Sequence, residues 1–344
     1  MKCHVNPRLL LTIFVGFSLC VYFFFLMLPL TIPRTFPNDD GNAYWFTRLS
    51  HQSIEHYPAM AYAKQYPIHT SRSASQFISG VVWDMPRDPQ IWNHFRFDAL
   101  SISFGLYNTF WMALLFGLLI HYRRVDAVLL MLGTFAGLMY NLTLPGRAWV
   151  MPWDMPIMCL FTWSVLVFMK NEYFPLLILV FTASLFKETG LVCSILVLLG
   201  PWSRRKQILG FIGLILSFVV CRKFLMIASG STAILVPLNE GYNLTSLVTN
   251  TLVQIKLNVC DTFSFHLNSP FFANCGMLFV MLFLPTKRAI KLMAAVFMVG
   301  QFIAGTVYEF RDFFELLPLG LMQLSDYLSD GEYLRKVSHE TPYN

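Results

Sequence analysis

Residues 9–29, LLLTIFVGFSLCVYFFFLMLP, form an uncharged run as long as a helix needs to cross a bilayer, about 20 residues for roughly 30 Å of hydrocarbon. The run is long and aromatic for a secretory signal, and Pro29-Leu30-Thr31-Ile32 lacks a small-residue cleavage pattern, so it reads as a retained first span. Similar runs recur at Leu100 to Ile120, Val125 to Leu144, Met155 to Met169, Gln207 to Ala228, Phe271 to Leu284 and Leu292 to Val307. Three more, Phe174 to Phe186, Leu191 to Trp202 and Phe313 to Leu324, are shorter or interrupted.

Composition agrees. Apolar residues make up 56% of the chain and charged residues 13%, about half the charge of a soluble domain. The expected fold is an all-α polytopic membrane protein of about ten transmembrane helices, one integral domain over residues 1–344. Seven cysteines are scattered without metal-ligand spacing, several of them inside apolar runs, which marks them as packing residues.

Orientation follows from Lys and Arg, which collect in short cytoplasmic loops. With about ten spans and the N-terminus inside, Lys2, Arg8, Arg123-Arg124, Lys170, Arg204-Arg205-Lys206, Lys287-Arg288-Lys291 and Arg335-Lys336 share one side. Both termini are then cytoplasmic, and residues 325–344 form a short cytoplasmic tail. Arg222-Lys223 is the exception, late in an outward-going helix, and either snorkels or lines a polar cavity. This topology accounts for the net charge of +6, so the charge does not point to nucleic acid.

The longest polar stretch, residues 33–99, is then extracytoplasmic. Pro58, Pro67, Pro86 and Pro89 among many aromatics suggest short helices lying on the membrane. No repeat, phosphate-binding loop or dinucleotide fingerprint appears along the chain.

Four constellations face outward. The first is Pro37-Asn-Asp-Asp-Gly-Asn-Ala-Tyr44, whose Asp39 and Asp40 can serve as general bases or form a solvated turn. The second, Gly146-Arg-Ala-Trp-Val-Met-Pro-Trp-Asp-Met-Pro156, offers Arg147 as a cation and Asp154 as a helix cap or site carboxylate. The third, Phe186-Lys-Glu-Thr-Gly-Leu191, puts Lys187 and Glu188 inside an apolar stretch, where charges pair or line a wet cavity. The fourth, Tyr308-Glu-Phe-Arg-Asp-Phe-Phe-Glu-Leu-Leu-Pro318, carries Glu309, Arg311 and Glu315. Arg311 and Glu315 are one helical turn apart and can pair with each other, or Arg311 can hold a phosphate.

In this order the early Asp-Asp, the Pro-Trp-Asp-Met-Pro opening of a helix, the Lys-Glu-Thr-Gly turn and the late Glu-x-Arg-x-x-x-Glu-Leu resemble the GT-C-type polytopic membrane glycosyltransferases. The resemblance implies a polyprenyl-phosphate sugar donor, a glycan or lipid-linked acceptor, and a catalytic aspartate in the first extracytoplasmic loop. Asp39 or Asp40 would be the base. Arg147, Asp154, Lys187, Glu188, Glu309, Arg311 and Glu315 would line the substrate cavity, Lys187 and Arg311 as the phosphate contacts. The chain departs from many such enzymes in lacking a soluble C-terminal domain. No cofactor is required on this reading; Asp39, Asp40 and Asp154 are hard oxygen ligands suited to a divalent metal, but no spacing demands one.

A transporter or flippase for a lipid-linked or anionic substrate is the competing class, because broken helices bearing charge also mark transport sites. A polysaccharide polymerase or ligase fits less well, since its large outer loop comes late in the chain. The triplets Asn141-Leu-Thr and Asn243-Leu-Thr match glycosylation acceptors, yet Asn141 falls within a span. High Phe and Met content in a compact chain favours a bacterial inner membrane.

Overall fold

The computed structural model describes residues 7–31, 99–123, 126–143, 154–228, 252–253, 255–256, 280–284, 287–304 and 315–340. Among them the fold is all-α, with no strand. The helices are α1 (Pro7–Thr31), α2 (Ala99–Tyr122), α3 (Ala127–Thr143), α4 (Asp154–Met169) and α5 (Tyr173–Phe186). A 3₁₀ segment, Glu188–Cys193, and the short α6 (Ser194–Leu198) follow. The series then continues with α7 (Arg204–Ala228), α8 (Arg288–Ala304) and α9 (Leu317–Glu340). The apolar runs at residues 9–29, 100–120, 155–169, 174–186 and 207–228 are helical throughout, and that at 125–144 over 127–143; Leu191 to Trp202 is helical only to Leu198, and residues 271–279 lie outside the described residues.

Four of the helix starts carry a proline. Pro7, Pro156, Pro175 and Pro318 each fall in the first turn of a helix, where a missing N–H leaves no intrahelical bond unmade. The turn between α4 and α5 is set by asparagine. Asn171 adopts φ 61°, its N–H donates to the Phe168 carbonyl at 3.0 Å, and the Glu172 N–H donates to Val167 at 3.2 Å. This left-handed double-bonded ending closes a helix on itself, and asparagine tolerates the conformation better than most residues.

Helix α4 is the axis of the molecule. Every residue from Asp154 to Phe168 except Trp163 is buried, as expected of a helix that is apolar all round. Its hydroxyls are bonded within the helix, Thr162 to the Met158 carbonyl and Ser164 to the Leu160 carbonyl, both at 2.8 Å. Around it pack α2, α5, α9 and the 3₁₀ segment. Phe161 meets Phe297 of α8 edge-on at 5.8 Å, and Trp111 of α2 meets Phe186 of α5 at 5.4 Å. Cys20, Cys159 and Cys193 are buried packing residues.

Helix α9 seats on α3 through two glycines one turn apart. A Cβ at Gly137 would fall 2.7 Å from Leu317 Cδ2, and one at Gly133 would fall 3.0 Å from Leu321 Cδ1. Small residues at this spacing let helices approach closely. A polar clasp holds the same pair at one end. Arg123 Nη2 contacts Asp126 at 2.6 Å and also Asp326, and Ser325 Oγ donates to Asp126 Oδ2 at 2.6 Å. The residues after Ser325 prolong α9 as helix to Glu340.

The exposed sides of α1 and α7 are largely apolar. Phe14, Phe17 and Phe25 of α1 are 65%, 66% and 62% exposed, and Val220 and Phe224 of α7 are exposed beside Lys223. Exposed apolar side chains of this size mark a surface that contacts lipid or another protein. Pro7–Met27 is long and apolar enough to cross a membrane, whereas Ala127–Tyr140, Asp154–Met169, Tyr173–Phe186 and Glu188–Leu198 are apolar but shorter.

Candidate functional site

The site begins where α5 stops. After Phe186 the chain leaves the helix at Lys187, which is extended at φ −152° and ψ 143°, and re-enters as the 3₁₀ segment. Two bonds form the corner: the Lys187 N–H donates to the Ala183 carbonyl at 3.1 Å, and the Gly190 N–H donates to the Lys187 carbonyl at 3.0 Å. Gly190 is there for lack of room. A Cβ would stand 2.4 Å from the Ala183 carbonyl carbon and 2.7 Å from the Ser184 nitrogen, and backbone cannot step aside as a side chain can.

This corner aims Lys187 inward. Its Nζ donates to Glu315 Oε1 at 2.9 Å, and the Thr189 hydroxyl donates to the same oxygen at 2.9 Å. The lysine side chain is 8% exposed and the glutamate 0%. A charge withdrawn from water is costly unless it meets an opposite charge and hydrogen bonds, and here each supplies the other. Glu315 Oε2 is also buried, and it has no hydrogen-bond partner among the described residues. Cys193, at the end of the 3₁₀ segment, lies within range of the Glu315 charge and of the Ser164 hydroxyl.

Asp154 is buried as the first residue of α4, at the end of that helix remote from Lys170. Lys187 is likewise at the end of α5 remote from Tyr173. The acids and the inward lysine thus lie away from the bundle end that carries Lys170, Lys206 and Lys287. Glu188 is half-buried at the start of the 3₁₀ segment. Asp39, Asp40, Arg147, Glu309 and Arg311 lie outside the described residues, as does Cys275.

The structure therefore brings together Lys187 and Glu315 from two of the four constellations. Lys187 reaches Glu315 across 128 residues of sequence, a long-range partner beside the local pairings that the sequence suggests; the Arg311–Glu315 pairing lies outside the described residues. Packing α9 against α3 and α4 places its start over the broken helix, and distance along the chain ceases to matter. Thr189 is absent from the expected site residues, although a hydroxyl two residues after a lysine in a tight turn is a signal for it. The Arg123–Asp126–Ser325–Asp326 clasp is likewise absent from them, because in the sequence Arg123 stands only as one of the basic residues expected on the cytoplasmic side.

Chemically, the arrangement offers a fixed cation, a carboxylate oxygen able to accept a hydrogen bond, and a hydroxyl, all in a low-dielectric setting where such contacts are strong. Among the described residues no group of three or more His, Cys, Asp or Glu is placed to hold a metal ion. No protein-family model matches this chain, and no curated protein or solved structure matches it.

Proposed function

We propose that this chain is a GT-C-type membrane glycosyltransferase that moves a sugar from a polyprenyl-phosphate donor to an extracytoplasmic glycan or lipid-linked acceptor. It would cross a bacterial inner membrane about ten times, with both termini cytoplasmic. The observation that carries the reading is the buried Lys187–Glu315 pair, assembled from an interrupted helix and the opening of the last one. Such a pair is an expensive construction for packing alone, and ionisable groups at membrane depth characteristically serve a substrate path.

In the proposed reaction Asp39 or Asp40 takes the acceptor hydroxyl proton. The acceptor oxygen bonds to the anomeric carbon of the donor sugar, and the bond from that carbon to the phosphate oxygen breaks. The electron pair leaves with the polyprenyl phosphate, whose charge Lys187 and Arg311 stabilise. Electrostatic stabilisation of a leaving group is commonly the largest catalytic contribution. Glu315 keeps Lys187 paired while no anion is bound, and Asp154, Glu188, Arg147 and Glu309 shape the sugar and acceptor side.

The test is transfer of a labelled lipid-linked sugar by membranes containing the parent, Asp39→Asn or Asp40→Asn. Asn cannot accept a proton at neutral pH, so one of the two variants should lose about 100- to 10,000-fold in rate while remaining folded and inserted. Parental rates in both variants would overturn the assignment. A transporter or flippase is the second reading, favoured by the break between α5 and α6 at Lys187, since discontinuous helices meet at transport sites. Movement of a lipid-linked anion across vesicles without any sugar transfer would select it.

A further inference from the structure

The opposite end of the bundle carries an exposed set of cations: Lys170, Arg204, Arg205, Lys206, Lys287 and Arg288, with the acid Glu172 in the first of these turns. They come from three connections far apart in sequence, and an aromatic floor joins them. Trp202 meets Tyr173 at 5.1 Å and Phe168 at 6.2 Å. Lys206 Nζ lies 5.9 Å from the Tyr173 ring centre and Lys287 Nζ lies 5.2 Å from that of Phe168. The backbone is tied down as well: the Tyr173 hydroxyl donates to the Lys206 carbonyl at 2.6 Å, and Lys287 Nζ donates to the Met169 carbonyl at 3.4 Å.

These cations stand at a boundary. Phe174, next to Tyr173, is 70% exposed, and Leu209, three residues after Lys206, is 59% exposed, so apolar surface begins where the charge ends. Tryptophan and tyrosine at such a boundary belong at headgroup level. A lysine over an aromatic face is held without a carboxylate partner, which keeps its charge available to an anion.

We propose that this face is a binding site for the phosphodiester headgroup of an anionic phospholipid, seated on the Tyr173 and Trp202 rings between Lys206 and Lys287. The proposal needs the bundle to sit in a bilayer and does not depend on sugar transfer. Each cation near a lipid surface contributes about fivefold in affinity, so removing two should weaken binding roughly 30-fold.

The experiment follows the thermal midpoint of the detergent-solubilised full chain during titration with phosphatidylglycerol, phosphatidylcholine or glycerol 3-phosphate, because a ligand of the folded state raises the midpoint. Phosphatidylglycerol should raise it with saturation. The Lys206→Gln, Lys287→Gln double variant should require about 30-fold more lipid, the Lys206→Arg, Lys287→Arg variant should behave as the parent, and Lys223→Gln on the far half of α7 should change nothing. Equal effects of the two phospholipids, an unchanged titration in the double Gln variant, or an effect of glycerol 3-phosphate equal to that of the lipid would each overturn the proposal. A chain that stays soluble and folded without detergent would instead overturn its membrane embedding.

Discussion

Lys187 and Glu315 form a buried ion pair at 2.9 Å across 128 residues of sequence, with Thr189 bonded to the same carboxylate oxygen. Both partners occupy the ends of helical elements, so the pair locks the break after α5 to the start of α9. Its energetics are asymmetric, because removing one partner strands the other in a medium that solvates it poorly.

Lys187→Met should therefore cost about 3–5 kcal/mol of stability, and Glu315→Leu a similar amount. The double substitution should recover most of that loss, since two apolar side chains of similar volume leave no stranded charge. Unfolding of the detergent-solubilised chain, analysed as a double-mutant cycle, measures this; additive losses would mean the two groups are energetically independent.

Three glycines should rank by what surrounds them. Gly190→Ala drives a methyl into the Ala183 backbone and should destabilise by about 1–3 kcal/mol. Gly137→Ala meets the movable end of Leu317 and should cost less. Gly213 faces open space in α7, and alanine there should be neutral or gain up to about 1 kcal/mol. Thermal midpoints of the three variants test the order.

The clasp at the other end predicts a response to acid. Burial opposes ionisation of Asp126, but hydrogen bonds from Arg123 and Ser325 and the guanidinium charge outweigh it and hold its carboxyl below the usual 3.8. Asp326 and Asp126 in turn hold the Arg123 guanidinium well above its usual range against the opposing effect of burial. A folded pKa below the unfolded one contributes stability above the unfolded value and loses it as pH falls through the folded value. Asp126→Asn should accordingly be less stable than the parent at neutral pH, and the gap should close as the pH drops below about 4. A gap that stays constant well below about pH 4 would remove Asp126 from the clasp.

Reporter fusions should place residues 33–99 and the Arg204 cluster on opposite sides of the membrane, because basic residues stay cytoplasmic. The same fusions at residues 187–190 and at Lys170 should also report opposite sides. Any pair found together would overturn the orientation.

Much of the helix map was legible in the sequence for a local reason: apolar runs satisfy their backbone bonds internally, and prolines such as Pro156, Pro175 and Pro318 mark first turns by what they lack. The break at Lys187-Glu188 was legible too, since two charges cannot continue an apolar helix through lipid without cost. Partnership was another matter. A residue's preference for burial or for a turn is written in its own few neighbours, but Lys187 meets Glu315, and Arg123 meets Asp326, only because α9 packs onto α3 through Gly133 and Gly137. Those contacts depend on how whole helices interlock, a property of surfaces brought together by folding. Among the described residues, sequence alone determined which segments are helical and where charge interrupts them; tertiary packing decided which charges neutralise one another.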